Sequence, residues 1–353
     1  MNKLETILCE SVEKFASDIY IVPGARIRMR IGLRFADVTQ ERLSPQESEE
    51  LLKGIYALTN RRPIERLIDQ GDDDFSFSLP GIGRFRCCAY MQRGSLAAVL
   101  RVVRFELPDA SKLGIPDGVM NLAHTQNGMV LVTGPAGSGK STTMACLIDR
   151  INRERQGHII TLEDPIEYLH SHKSCIVSQR EMHSDSQSFS VALRAALRQA
   201  PDVIMLGEMR DYDTMATAIT AAETGHLLFS SLHTQGAAKS IDRIIDVFPA
   251  NAQQQVRVQL ATVLRAVVSQ QLVQTVTGGM VPVFEVMTVT PAISNLIREG
   301  KTFQIENAMA AGAAQGMTTM DQSLAQLCRQ GVISRETALS ASFSPDALER
   351  RLR

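Results

Sequence analysis

The segment Gly134-Pro135-Ala136-Gly137-Ser138-Gly139-Lys140-Ser141 fits the pattern G-x-x-x-x-G-K-[ST] at every fixed position, and Thr142 follows it. Residue types in this order suit phosphate binding. The glycines let the backbone curl until several N–H groups point inward at phosphate oxygens. A helix starting at the end of the loop adds the positive end of its dipole. In this pattern Lys140 reaches the β and γ phosphates, and the Ser141 hydroxyl ligates Mg²⁺. The expected ligand is ATP or GTP with Mg²⁺. A structural turn can match the same pattern by chance, so the flanks matter. A phosphate cradle needs a strand before it and a helix after it, and both are predicted here, the strand from Gly128 to Thr133 and the helix from about Lys140.

Hydrolysis also needs a group that orients water and a second anchor for the metal. Two carboxylate clusters follow short apolar runs. One is Glu163-Asp164-Pro165-Ile166-Glu167, after Ile159 to Leu162; the other is Gly207-Glu208-Met209-Arg210-Asp211, after Val203 to Leu206. Ligands of open α/β sheets bind at the carboxyl ends of strands, where both clusters would lie. The second cluster has the Walker B shape but ends in Glu208, where Asp is more usual. That makes Glu208 a candidate for both catalysis and the metal. Taken singly, each carboxylate also reads as a solvated loop residue or helix cap. His226 and His233 bracket Leu227 to Ser231. Lone histidines are commonly structural, yet His233-Thr234 at a strand end would be placed to sense a γ-phosphate. P-loop ATPases often take an arginine from a neighbouring subunit. Arg84, Arg86, Arg101 and Arg104 lie on adjacent predicted strands. On a shared face they would form a basic wall; the alternative is a solvated strand face. Arg194 and Arg198, four apart on a predicted helix, point the same way.

These residues need a scaffold, and the pattern of the chain supplies one. Leu4, Ile7, Leu8, Val12 and Phe15 mark an amphipathic helix over 3–16. Strands are expected at 18–22 and 26–35. Ser44-Pro45-Gln46-Glu47 opens a capped helix running to about Leu58, and a second covers about Ile64 to Gln70. Residues 75–79 and 83–90 read as a hairpin, and 97–103 as a further strand. Pro108, Gly114 and Pro116 punctuate a linker. Beyond it, apolar strands at 128–133, 159–162, 176–178, 203–206 and 227–231 alternate with helical segments. That alternation implies a parallel sheet covered by helices on both faces. From about residue 251 the pattern reads as largely helical. The expected organisation is an α+β domain over 1–104, a linker over 105–117 and an α/β domain over 118–353.

Composition narrows the function classes. A chain of 353 residues accommodates two domains. The formal net charge of -1 does not indicate a strongly basic nucleic-acid surface, although a neutral total leaves room for a local patch, and the absence of Trp with 5% aromatics argues weakly against base-stacking platforms. No run reaches the roughly 18–20 apolar residues that a membrane span needs. Glu5, Glu10 and Glu13 interrupt what a signal peptide would keep apolar. The six cysteines contain no C-x-x-C, so the expected state is reduced thiols in the cytoplasm.

The ordered set GPAGSGKST (134–142), TLEDPIEY (161–168), PDVIMLGEMRD (201–211) and AAETGHLLFSSLHT (221–234) resembles the type II/IV secretion ATPase superfamily, the GspE/PilT family. There these segments are the Walker A, Asp, Walker B and His boxes. The resemblance covers nearly the whole chain, with RRPIERLIDQGDDDFSFSLPGIGRFRCCAYMQRG (61–94), IDRIIDVFPA (241–250), TPAISNLIREGK (290–301) and GMTTMDQSLAQL (316–327), and is closest to the pilus retraction type. It implies a PAS-like N-terminal domain and a RecA-like ATPase domain with a helical C-terminal portion. It further implies a homohexamer working at the cytoplasmic face of the inner membrane. The partners would be a pilus platform protein and a second motor ATPase, without direct nucleic-acid binding. Site roles follow by position. Glu167 activates water with Glu163 beside it, Glu208 is the Walker B carboxylate, His226 and His233 are the His-box histidines, and Arg84, Arg86 and Arg101 act in trans. Extension motors carry extra N-terminal domains and a four-cysteine zinc segment, so the resemblance favours retraction. Three departures are local. Ser294 stands where retraction motors usually carry Arg, Ala200 where an acidic residue is usual, and VPGARIRMRIG (22–32) lacks paired prolines. They leave open an accessory retraction motor, or a related hexameric ATPase energising secretion or DNA uptake.

Overall fold

The computed structural model describes residues 2–32, 34–59, 62–103 and 107–353; Arg104 lies outside the described residues. The chain divides into two compact units. Residues 1–106 together with 165–169 form one, and the remainder forms the other.

In the first unit, capping boxes set two helix starts. Asn2 with Glu5 opens α1 (Lys3–Glu13), and Ser44 with Glu47 opens α2 (Pro45–Ala57), as its sequence predicts. The strands β1 (Asp18–Ile21), β2 (Arg28–Ile31) and β3 (Arg34–Asp37) precede α2. Next come α3 (Glu65–Gln70), β4 (Asp72–Leu79), β5 (Gly83–Gln92) and β6 (Ser95–Val103). The sheet order is β3-β2-β1-β6-β5-β4, antiparallel throughout. Its core joins Leu8, Leu52, Ile55 and Leu67 of the helices to Ile19, Met29, Phe85 and Leu100 of the strands. The single strand expected over 26–35 is instead the β2–β3 hairpin. Ile31 pairs with Arg34, and Gly32, just past β2, takes φ +60°, a value that favours glycine.

The second unit opens with α4 (Asp117–Met120) and β7 (Gly128–Thr133). It continues through α5 (Lys140–Glu154), β8 (Gly157–Glu163), β9 (Cys175–Glu181), α6 (Phe189–Ala196), β10 (Val203–Leu206), α7 (Tyr212–Glu223) and β11 (Leu227–Leu232). Then follow α8 (Ala237–Asp246), α9 (Gln253–Val263), β12 (Leu264–Gln274) and β13 (Met280–Thr288). The helices α10 (Pro291–Arg298), α11 (Ile305–Ala311), α12 (Met320–Arg329), α13 (Arg335–Ala341) and α14 (Pro345–Arg351) complete it. The sheet order is β13-β12-β7-β11-β10-β8-β9, parallel except for the β12–β13 pair. Every β7 residue is buried. Met129 and Leu131 face one helix layer, while Val130 and Val132 face the other. This is the two-sided burial that continuous apolar strands require.

Residues 264–288, read as part of a helical stretch, are a strand pair that widens the sheet. Short apolar runs buried on both faces carry no period that separates strand from helix. The helical portion proper runs from Pro291 onward; α10 and α11 pack into the sheet's core through Ile293, Ile297, Ile305 and Met309, while α12 to α14 build a separate core around Leu324, Ile333, Ala338 and Leu348. All six cysteines are free. Among the described residues no helix is long and apolar enough to cross a membrane.

Candidate nucleotide site

The loop after β7 is built from its glycines. Gly134, Gly137 and Gly139 all have positive φ. A Cβ on Gly134 would sit 2.2 Å from the Gln270 carbonyl oxygen, and one on Gly139 would sit 2.8 Å from the Gln270 amide nitrogen. Only glycine lets the loop lie this close to β12. Lys140 is buried, and its Nζ donates to the carbonyls of Gly134 and Pro135, 2.9 Å each, so the ammonium is folded into the loop. No side chain caps α5, and the first-turn N–H groups of a helix have no intrahelical acceptor. The hydroxyls of Thr133 and Ser138 are buried there without a hydrogen-bond partner. A helix N-terminus without a side-chain cap, a folded-in cation and orphaned hydroxyls fit a polyphosphate. Pro135 and Ala136 form the outer wall of the turn, and Ser141 and Thr142 stand half-buried in the first turn of α5. Among the described residues no cluster of three or more His, Cys, Asp or Glu could cage a metal. That is compatible with Mg²⁺, which takes one or two protein ligands plus phosphates and waters at such sites.

The carboxyl edge of this sheet lines up further groups. In the order β7, β11, β10, β8 the strand ends carry the phosphate loop, His233, Glu208 and Glu163, spread over about 14 Å at the usual strand spacing. Glu208 is held by its own loop. Gly207 N–H donates to Leu162 O (2.7 Å) and Met209 N–H to Ser231 O (3.3 Å), while Ser231 Oγ donates to Gly207 O (2.6 Å). The Glu208 carboxylate, 13% exposed, lies 3.3 Å from His233 Nε2 and 2.7 Å from Arg210 Nε through one oxygen. Glu163 is buried and accepts from the Thr161 hydroxyl (2.6 Å) and the Gln179 amide (3.2 Å). α6 ends at Ala196, so of the two arginines expected on one helix only Arg194 is helical; Arg198, in the turn beyond, donates to Arg194 O at 3.2 Å, and Arg194 faces Asp213.

His226 is not part of this edge. It precedes β11, so the strand's length puts it roughly 20 Å from His233. There its Nδ1 lies 3.0 Å from Ala221 O and 3.1 Å from the Thr224 hydroxyl. Within this unit His226 stands at the opposite end of β11 from the phosphate loop.

Glu167 is placed with different neighbours. After β8 the chain passes at Pro165 into the first unit and returns at His170. A cavity of about 300 Å³ in that unit is lined by Arg86, Arg101, Val103, Pro165, Ile166 and Glu167, among others. Arg86 and Arg101 are directly opposed on β5 and β6, and Arg84, two residues from Arg86, shares their face. Opposed like charges destabilise a sheet; Asp18 relieves Arg101 at 3.2 Å, and Arg84 donates to the Ser78 hydroxyl at 3.1 Å. β8 ends at Glu163 in the second unit, and Glu167 belongs to the first.

The sequence matches the family described as "Type II/IV secretion system protein" over residues 1–280. The chain belongs to that family. It is 43% identical to the type IV pilus retractation ATPase PilT of Pseudomonas aeruginosa, over 96% of this chain and 98% of that protein. It is 46% identical to the twitching motility protein of Neisseria gonorrhoeae, over 86% of this chain and 81% of that one. Among solved structures, the pilus retraction motor PilT with bound ADP superposes with a TM-score of 0.90 at 46% identity, covering 99% of each chain. This secretion-family chain is an ATPase by kinship and by fold, with a PAS-like α+β unit followed by a RecA-like P-loop unit.

Three positions near the family's phosphate loop escaped sequence reasoning. Gln270 accepts from the Thr143 hydroxyl at 2.7 Å and packs under Gly134 and Gly139. Ser269 accepts from Gly236 N–H at 2.9 Å. Arg210 fixes the Glu208 oxygen. The available signal was the polar run Ser269-Gln270-Gln271 inside an apolar stretch, which is costly to bury without partners.

Proposed function

We propose that this chain is the ATP-hydrolysing motor that retracts a type IV pilus, working as a homohexamer at the cytoplasmic face of the inner membrane. The observation that carries the reading is the phosphate cradle of residues 134–142 with His233 and Glu208 on the same sheet edge, in a chain akin to retraction ATPases over nearly its full length. ATP with Mg²⁺ supplies the phosphoryl group whose hydrolysis releases the energy. Lys140 and the loop N–H groups hold the phosphates, and Ser141 holds the metal with Glu208 behind it. Glu208 orients the attacking water, because it shares the sheet edge of the cradle. His233 reports the γ-phosphate to the loop that follows it. Arg86 and Arg101, with Arg84 on their flank, meet a neighbour's nucleotide in the ring, and Glu167 holds their guanidiniums between turnovers. Residues 1–104, 105–117 and 118–353 are the PAS-like N-terminal domain, the linker and the RecA-like ATPase domain. The partners are a pilus platform protein of the inner membrane and a second motor ATPase.

The test has two parts. ATPase rate is measured against protein concentration with molar mass read in parallel; turnover per subunit should rise as a hexamer-sized species forms. Monomeric, concentration-independent turnover would remove the trans arginines. In cells, deletion should abolish filament retraction. The family description also names secretion systems, so lost secretion with intact retraction would move the motor to that client.

A further inference from the structure

Glu285 stands on β13 directly opposite Ser269 of β12. Its side chain is buried, 5% exposed, at a depth where an isolated carboxylate is costly. Two helix starts compensate it. Oε1 accepts from Ala237 N–H at 2.8 Å, the first residue of α8, and Oε2 accepts from Met320 N–H at 3.1 Å, the first residue of α12. Burial raises its pKa, and these two N–H groups act against that shift. A carboxylate suits the position because it alone offers two acceptor oxygens to two helix N-termini.

What the two helices carry gives the contact its meaning. α8 follows the loop His233-Thr234-Gln235-Gly236, which is tied off by Gly236 N–H to Ser269 Oγ (2.9 Å), Ser240 Oγ to Gly236 O (2.7 Å) and Thr234 Oγ1 with Ser240 Oγ (2.6 Å). α12 begins the C-terminal bundle. Its buried Asp321 accepts from the N–H groups of Phe343 (3.0 Å) and Ser344 (3.2 Å). A Cβ on Gly236 would meet the Phe343 ring at 3.3 Å, so bundle and loop are in direct contact as well.

We propose that Glu285 is a positioning residue that clamps the His233 loop to the C-terminal helical bundle, so that a change of the bound nucleotide at the carboxyl edge is transmitted to α12. The inference rests on the nucleotide reading above. Reciprocity requires that what α12 feels from the nucleotide, the nucleotide site feels from α12. A client gripping the bundle would thereby act on His233 and, through it, on Glu208.

The test uses the full chain and ADP as the probe. Amide hydrogen exchange is followed at residues 236–241 and 319–324, with kcat, KM and ADP affinity measured alongside. In the wild type, ADP should change protection in both segments together. Glu285→Gln keeps the shape but turns an NH₂ toward one donor. It should uncouple the 319–324 response and lower kcat about tenfold, with ADP affinity within about twofold. A purely structural role would lower the melting temperature and leave the kcat-to-affinity balance unmoved. A wild-type response confined to 236–241 would overturn the clamp without any variant, as would unchanged exchange and kcat in Glu285→Gln. Should Lys140→Ala bind ADP as tightly as wild type, it is the nucleotide reading that falls. The clamp is then decided by exchange without nucleotide, faster in both segments of Glu285→Gln if it exists and unchanged if it does not.

Discussion

At the carboxyl edge of the seven-stranded sheet, Glu208 shares one oxygen between His233 and Arg210, beside a loop whose buried hydroxyls lack partners. At the amino edge the same residue types are engaged in local contacts. His158 Nδ1 lies 2.9 Å from Gln199 O and its Nε2 2.9 Å from Ser178 Oγ, and its N–H donates to Asp202 Oδ2 at 2.7 Å. His226 is held by Ala221 and Thr224. Both edges are rich in histidine and carboxylate, yet the partnerless hydroxyls of Thr133 and Ser138 lie at the carboxyl edge. The amino edge uses its polar groups to pin strand starts, whereas the carboxyl edge keeps them for chemistry. A residue type therefore carries little functional meaning until its strand end is known.

The sharpest way to break this contrast is Glu208→Gln. A group that orients water in the transition state contributes about 10²–10⁴-fold, so steady-state turnover should fall by that factor while nucleotide binding survives. Retained turnover would place the chemistry elsewhere, with Glu167 next in line. Lys140→Ala should weaken nucleotide affinity by about 100-fold, since charge-assisted contacts to two phosphates are lost; a titration with a fluorescent ATP analogue reads it.

The two histidines on β11 compare the edges within one strand. His233→Ala should lower kcat about tenfold through loss of its contact to Glu208. His226→Ala should leave kcat within about twofold and cost about 1 kcal/mol of stability, the value of an ordinary hydrogen bond. Equal kinetic effects would erase the distinction between edges.

A third histidine tests engagement by burial. His170 is buried, with Asp149 and Lys173 nearby, and burial lowers its pKa to about 4. The folded state thus disfavours the proton that the unfolded state binds below about 6.5. The contribution to stability is intact above that value, shrinks as pH falls, and is fully lost below about 4. Between pH 7 and 5 it amounts to about 2 kcal/mol. His170→Gln should flatten that part of the stability–pH curve; an unchanged curve would mean that His170 titrates normally.

The carboxyl edge was legible because its parts are contiguous in sequence and each follows an apolar strand-sized run. The β12–β13 pair was not, since a run such as Leu264 to Ser269 continues the apolar pattern of α9 and is buried on both faces. Its polar residues Ser269, Gln270 and Glu285 acquire meaning only through partners at residues 134, 143, 236, 237 and 320. The passage of the chain at Pro165 from the second unit into the first was not legible either, because no local pattern marks it. The departure at Ala200, noted only as a missing acidic residue, gained a physical content: its φ is +49°.

That value makes Ala200 the mildest test of the amino edge. The turn between α6 and β10 takes this residue into the left-handed region, where a Cβ costs roughly 1–2 kcal/mol. Gln199 and Asp202 on either side are fixed by His158, so the turn cannot relax by shifting. The acidic residue usual in the family tolerates this conformation through its short polar side chain, and alanine does not. Ala200→Gly removes the clash but gives back about 0.4–1 kcal/mol in unfolded-chain entropy. The net expectation is a gain of about 0.5–1 kcal/mol, or roughly 1–4 °C in melting temperature, with ATPase turnover unchanged. A lower melting temperature would show that the turn is not strained. Altered turnover would show that the amino edge communicates with the nucleotide after all, and the division of labour between the two edges would have to be abandoned.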